Sequence, residues 1–179
     1  MHRYRPAWIA LPLLLGLLCA GSARAVAPEI KDEAKFFSPD AVKKANEMIR
    51  QLARRTGFDL LIETLPAPPG EQADKLENMS PADRNKFFST LAKQRANEVA
   101  VRGIYVLVTR TPPHLELAAR KLPRQFTRQD FDKLRSTLIE AFRAKKYDDG
   151  LLNAVKMVQE KLTPAGRPGE NLSTTGPSK

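Results

Sequence analysis

Seven consecutive residues, Gly103-Ile104-Tyr105-Val106-Leu107-Val108-Thr109, constrain the fold more than any other feature of the chain. An apolar run of strand length, opened by glycine and followed by Pro112-Pro113, reads as a sheet strand covered on both faces. A second run, Phe58 to Leu65, ends abruptly at Pro66, Pro68, Pro69 and Gly70. Between the two runs Ser80-Pro81-Ala82-Asp83 is a helix start, and Phe87, Phe88, Leu91, Ala92, Ala96 and Val99 supply its inward face. Strand, helix and strand form a right-handed crossover, which makes 58–65 and 103–109 parallel. After the prolines, His114, Glu116 and Ala118 alternate with Leu115 and Leu117, the pattern of a half-exposed edge strand running back antiparallel. The expected fold is therefore α/β: a small mixed sheet with a parallel βαβ core and an antiparallel edge hairpin, sandwiched between helices.

The remaining helices carry their own start and stop signals. Ser38-Pro39 opens one whose Val42, Ala45, Ile49, Leu52 and Ala53 share a stripe, and Gly57 stops it. Thr127 to Asp130 opens another, with Phe131, Leu134, Leu138, Ala141 and Phe142 on one face. Asp148-Asp149-Gly150 then precedes a last helix bearing Leu151, Val155, Val158 and Leu162. A short helix is expected within Glu71 to Glu77, and an unstructured tail over 163–179, where proline, glycine, serine and threonine dominate.

At the N-terminus Arg3 and Arg5 precede an apolar stretch from Ala7 to Ala20, and Ala23-Arg24-Ala25 supplies small residues around a cleavage point. This is the pattern of a secretory signal peptide, residues 1–25. The apolar stretch falls short of the roughly 20 residues that span a bilayer. Cys19 is the single cysteine and leaves with the leader; Leu18 before it argues against lipidation. Loss of three arginines with the leader takes the formal net charge from +10 to +7. The expected product is one exported α/β domain, residues 26–162, periplasmic or secreted, with no transmembrane anchor. Its basic balance suits an anionic surface, and export argues against nucleic acid.

Several segments together resemble the TPM domain, a family named after a thylakoid lumen protein, a photosystem II repair factor and a modulator of levamisole receptors. They are Ile30-Lys31-Asp32-Glu33-Ala34 with Phe37-Ser38, the strands at 59–64 and 102–108, and Phe142-Arg143-Ala144-Lys145-Lys146-Tyr147-Asp148-Asp149-Gly150-Leu151. The resemblance runs over about residues 29 to 162. It implies an extracytoplasmic α/β sandwich, calcium binding through acidic residues in some relatives, and acid phosphatase activity ascribed to a plant relative. The chain departs from the family where many relatives continue with a glycine-rich, acid-containing segment. Here Ala118-Ala119-Arg120-Lys121-Leu122-Pro123 stands instead, and its charges are expected to repel a cation.

In open α/β sheets ligands lie beyond the carboxyl ends of the parallel strands, which points to Thr64, Thr109 and Arg110 as a ligand crevice and to Glu63 beside them. Asp32, Glu63, Asp148 and Asp149 form a candidate set for a hard cation, calcium or magnesium, if their oxygens converge. The plainer expectation is that Asp32 caps a turn and Asp148 caps the last helix. His114 is the one histidine outside the leader and has no partnered nucleophile in the motif set; Gly57, Gly70, Gly103 and Gly150 are isolated and form no phosphate loop. Arg120, Lys121, Arg124 and Arg128 form a basic patch, read either as a solvated face or as a contact for anionic lipid or an acidic partner. The matches to the N-glycosylation pattern at Asn78 and Asn171 are assigned no role. The functional expectation is a non-catalytic accessory or interaction module in an envelope or membrane-protein process, engaging a protein partner. The rival is a divalent-cation-dependent acid phosphatase.

Overall fold

The computed structural model describes residues 29–70, 75–76 and 78–163. The segment read as a signal peptide, most of the short helix expected over 71–77 and all of the expected tail but Thr163 lie outside the described residues. Four strands form one sheet in the order β1-β2-β3-β4: β1 (Lys31–Asp32), β2 (Asp59–Leu65), β3 (Gly103–Thr109) and β4 (His114–Ala119). β1, β2 and β3 are parallel and β4 is antiparallel, so the mixed sheet, the crossover and the edge hairpin are as the apolar runs predict. The parallel register pairs Asp59 with Gly103 and Leu65 with Thr109, without a slip.

The helices are α1 (Pro39–Thr56), α2 (Pro81–Glu98), α3 (Arg128–Arg143) and α4 (Tyr147–Leu162). The hydroxyls of Ser38, Ser80 and Thr127 each accept from a backbone N–H of the first turn, at Ala41, Asp83 and Asp130. Thr127 and Asp130 complete a reciprocal capping box. Gly57 ends α1 in the left-handed region at φ 72°, where a side chain would be strained. The last helix differs from expectation. It begins at Tyr147 with no side-chain cap, and Asp148, Asp149 and Gly150 are already helical.

Side-chain alternation divides the strands between two cores. Leu60 and Ile62 of β2, and Ile104, Val106 and Val108 of β3, meet Ile49 and Leu52 of α1, Leu134 and Leu138 of α3, and Leu151, Val155 and Val158 of α4. On the opposite face Leu61, Tyr105 and Leu107 meet Phe88, Leu91 and Ala92 of α2. His114, Glu116 and Ala118 of β4 do not face open solvent as the alternation implies, because α2 covers that side of the edge strand too. The three-residue link between α3 and α4 folds them back into a hairpin. Gly150 permits their close approach, since a Cβ there would lie 2.5 Å from the Ala141 Cβ.

β1 was not expected as a strand. At two residues it is too short to show alternation. Its lead-in is held by Asn46 of α1, whose buried Oδ1 accepts from the Ile30 N–H at 2.9 Å.

Candidate functional site

The carboxyl end of β3 opens onto a cleft of about 600 Å³ between the β3–β4 turn, α3, the start of α4 and Phe36. A smaller neighbouring pocket of about 280 Å³ lies against Ser38, Lys145, Lys146, Asp148 and Asp149. Both depend on the segment 33–38, which joins β1 to α1.

Asp32 shapes that segment. Its Oδ1 accepts from the Phe36 N–H at 3.0 Å and its Oδ2 from the Phe37 N–H at 2.9 Å. The Thr64 hydroxyl donates to Oδ1 as well and accepts from the Ala34 N–H at 3.1 Å. The turn-capping expectation for Asp32 therefore describes its contacts. Thr64, expected in the crevice, is buried beneath this loop and does not line the cleft. Thr109 and Arg110 do line it.

The Asp32 turn presents Phe36 and Phe37 to an aromatic cluster with Phe142 and Tyr147, at ring-centroid separations of 5.1–6.0 Å. Arg110 lies over the Phe36 ring, 4.3 Å from its centre, and donates to the Ala34 carbonyl. On the far wall His114 stacks on Phe88 at 3.9 Å and shares Glu116 with Arg135, at 3.4 and 3.1 Å. Burial works to raise the Glu116 carboxyl, but the His114 hydrogen bond and the Arg135 charge outweigh it and hold the group below its ordinary value. The Thr109 hydroxyl donates to the Pro112 carbonyl at 2.7 Å, steadying the turn at the cleft rim.

The four carboxylates proposed as cation ligands do not converge. Asp148 lies near Asp32, since its Oδ1 accepts from the Ser38 N–H at 2.9 Å, one residue beyond those held by Asp32. This also corrects the cap reading of Asp148: it holds the start of α1, not that of its own helix. Glu63 points through the other face of the sheet, 1 % exposed, held by Arg95, by the Tyr105 hydroxyl and, at 3.9 Å, by Lys31. Adjacent strand residues face opposite sides, so Glu63 and Thr64 cannot both line one crevice. Among the described residues no group of three or more His, Cys, Asp or Glu side chains is arranged to hold a metal ion.

The basic patch Arg120, Lys121, Arg124 and Arg128 is at the opposite end of the sheet, because β4 runs back and the Arg120 N–H bonds the Gly103 carbonyl at 2.8 Å. Seven strand residues separate that end from the cleft. At about 3.3 Å per residue this is beyond a physiological screening length of about 8 Å, so these charges do not repel a cation near Asp32 as the sequence suggested.

Sequence reading missed Phe36, Arg135, Ile139, Arg143 and Tyr147 as cleft residues. They come from three separate segments, and their one local signal is the pairing of Phe142 with Tyr147 across the short α3–α4 link.

Residues 30–161 match the family model of the TPM domain. Among solved structures, the chain is similar to the N-terminal domain of the cg2496 protein from Corynebacterium glutamicum, seen by solution NMR. The two share 10 % identity and a TM-score of 0.56 over 84 % of this chain and 90 % of that one, a likeness of fold. The NMR structure of the BA42 protein from Bizionia argentinensis aligns at 15 % identity and TM-score 0.47, over 72 % and 82 % of the two chains. No curated protein matches the chain. Among the described residues no helix is long and apolar enough to cross a membrane.

Proposed function

The chain belongs to the TPM domain family, and from that premise we propose that it acts as an exported, non-catalytic accessory module that engages a protein partner in an envelope or membrane-protein process. One observation carries this reading: Asp32 and Asp148, at the carboxyl end of the sheet, are engaged in holding the chain's own loops. Both Asp32 oxygens accept backbone N–H groups, and Asp148 accepts a third. A phosphatase needs a free nucleophile or metal-activated water beside a proton donor. Here the one histidine among the described residues is stacked on Phe88 and tied to Glu116.

The rival reading, a divalent-cation-dependent acid phosphatase built on Asp32, Glu63, Asp148 and Asp149, does not fit a single cation, because Glu63 is buried against Arg95 on the other face. Export is supported by the basic and apolar pattern of residues 1–25. The test is steady-state hydrolysis of p-nitrophenyl phosphate by the leaderless protein between pH 4 and 8, with and without calcium or magnesium. No release of nitrophenol in proportion to protein is expected. Proportional turnover that disappears in Asp149→Asn, with melting unchanged, would overturn the accessory reading.

A further inference from the structure

The cleft combines three features that the accessory reading does not use: apolar walls, cationic groups, and a shortage of anions to answer them. Of its basic side chains, Arg135 and His114 share the single carboxylate of Glu116. Among the described residues the partners of Arg110 are neutral, the Ala34 carbonyl and the face of Phe36. Arg143, exposed in the last turn of α3, has no carboxylate within ion-pair distance among the described residues. Its charge complements the carbonyl end of the helix without being neutralised by it. Two guanidiniums thus border a slot walled by Phe36, Ile139 and Phe142, and among the described residues neither has an ion-pair partner.

We propose that this cleft is a binding site for a carboxylate carried on an aromatic or aliphatic body. A guanidinium matches the planar carboxylate with paired N–H donors; Arg110 lies over the Phe36 ring and gives an Nη2 N–H to the Ala34 carbonyl, and its other N–H donors are those the ligand would engage. The apolar walls remove the rest of the ligand from water, and a cleft of about 600 Å³ is of the size that encloses a small organic molecule or one terminal residue of a peptide. A phosphate dianion suits the site less well. It is more strongly hydrated, and the cleft has no glycine-rich loop of backbone N–H groups to replace that water. The inference holds independently of whether the domain is catalytic.

The test is calorimetric titration of the folded protein with 4-phenylbutyrate and octanoate, against 4-phenylbutanol, 4-phenylbutylamine and octyl phosphate. The carboxylates are expected to bind at one saturable site, with the alcohol and the amine at least tenfold weaker. A peptide ending in free-carboxylate phenylalanine, compared with its C-terminal amide, distinguishes a peptide end from a free small acid. Arg143→Gln and Arg110→Gln should each weaken octanoate about tenfold or more, Ile139→Glu should abolish binding by placing a carboxylate among the walls, and Arg124→Gln at the far end of the sheet should change nothing. Equal affinity for acid and alcohol, tighter binding of octyl phosphate than of octanoate, or an Arg143→Gln protein that is folded and binds as before would overturn the proposal. Release of phosphate from octyl phosphate would instead overturn the non-catalytic reading, leaving the carboxylate comparison to stand or fall by itself.

Discussion

The two faces of the sheet are closed in different ways. Three helices cover one side, and apart from Asn46, Asp32 and Thr64 along its β1 margin that side is sealed mainly by apolar shape, with Ile49, Leu52, Leu134, Val155 and Val158 all fully buried. Among the described residues one long helix, α2, covers the other side, joined by the fully buried Leu76. One helix is too narrow for four strands, and there the gap is filled by polar side chains that satisfy one another: Glu63 with Arg95 and Tyr105 in the middle, and His114 with Glu116 at the edge. Arg135 reaches round β4 from the three-helix side to Glu116, which ties the two layers together and guards the open strand edge. A narrow cover requires charges to be paired where a broad one needs only apolar volume.

The electrostatics follow from this closure. The Glu63 hydrogen bond raises the Arg95 guanidinium, against the opposing effect of burial. Burial, then the neighbouring Glu63 carboxylate, raises the Tyr105 phenol, so it stays protonated as a donor.

The strongest challenge to this contrast is Arg95→Ala. It leaves the buried Glu63 carboxyl without its guanidinium partner, beside the Tyr105 phenol and Lys31 at 3.9 Å, and urea denaturation should show a loss of about 3–5 kcal/mol. A loss below about 1 kcal/mol would mean that the one-helix side does not depend on its ion pair. On the three-helix side Leu134→Ala should cost about 2–4 kcal/mol through the cavity it leaves. Replacing Glu63 and Arg95 by leucine and Tyr105 by phenylalanine together should change stability by about 1 kcal/mol or less, or raise it, since an apolar set of similar volume avoids desolvating charge. Tyr105→Phe alone removes one donor from Glu63 and should cost about 1–2 kcal/mol in the same assay.

The smallest effect is on pH dependence. Glu116 is depressed below 4.5 in the fold, so the stability it contributes is present above that value and is lost as pH falls through the lower folded value. The difference between the parent protein and Glu116→Gln should therefore shrink steadily below about pH 4.5 in melting experiments. Asp130 behaves in the same sense, held down to about 2 by Lys161 and by the capping bonds of Thr127. Its contribution should persist into stronger acid.

Local chemistry made most of this architecture legible. Serine or threonine with an acid three residues on marked α2 and α3, Ser38-Pro39 and Gly57 bounded α1, and two apolar runs joined by a helix fixed the parallel pair. What failed was parity and reach. Glu63 and Thr64 lie side by side at the end of β2, and reading both into one crevice ignored that a step of one residue changes the face. Arg95, the partner that explains Glu63, sits 32 residues away on α2. Asp148 was recognised as important, but its target at Ser38 is 110 residues distant. The place of the basic segment 120–128 at the far end of the sheet followed only from the direction of β4.

The missing side chain at Gly150 has an effect well away from itself. Because α4 can settle against Ala141 there, the next turn back brings Tyr147 beside Phe142 and fixes how wide the aromatic mouth stands open. One absent methyl group thus gauges the aperture through which any guest must pass, and even an alanine at that position would be expected to alter selectivity without touching a single residue of the lining.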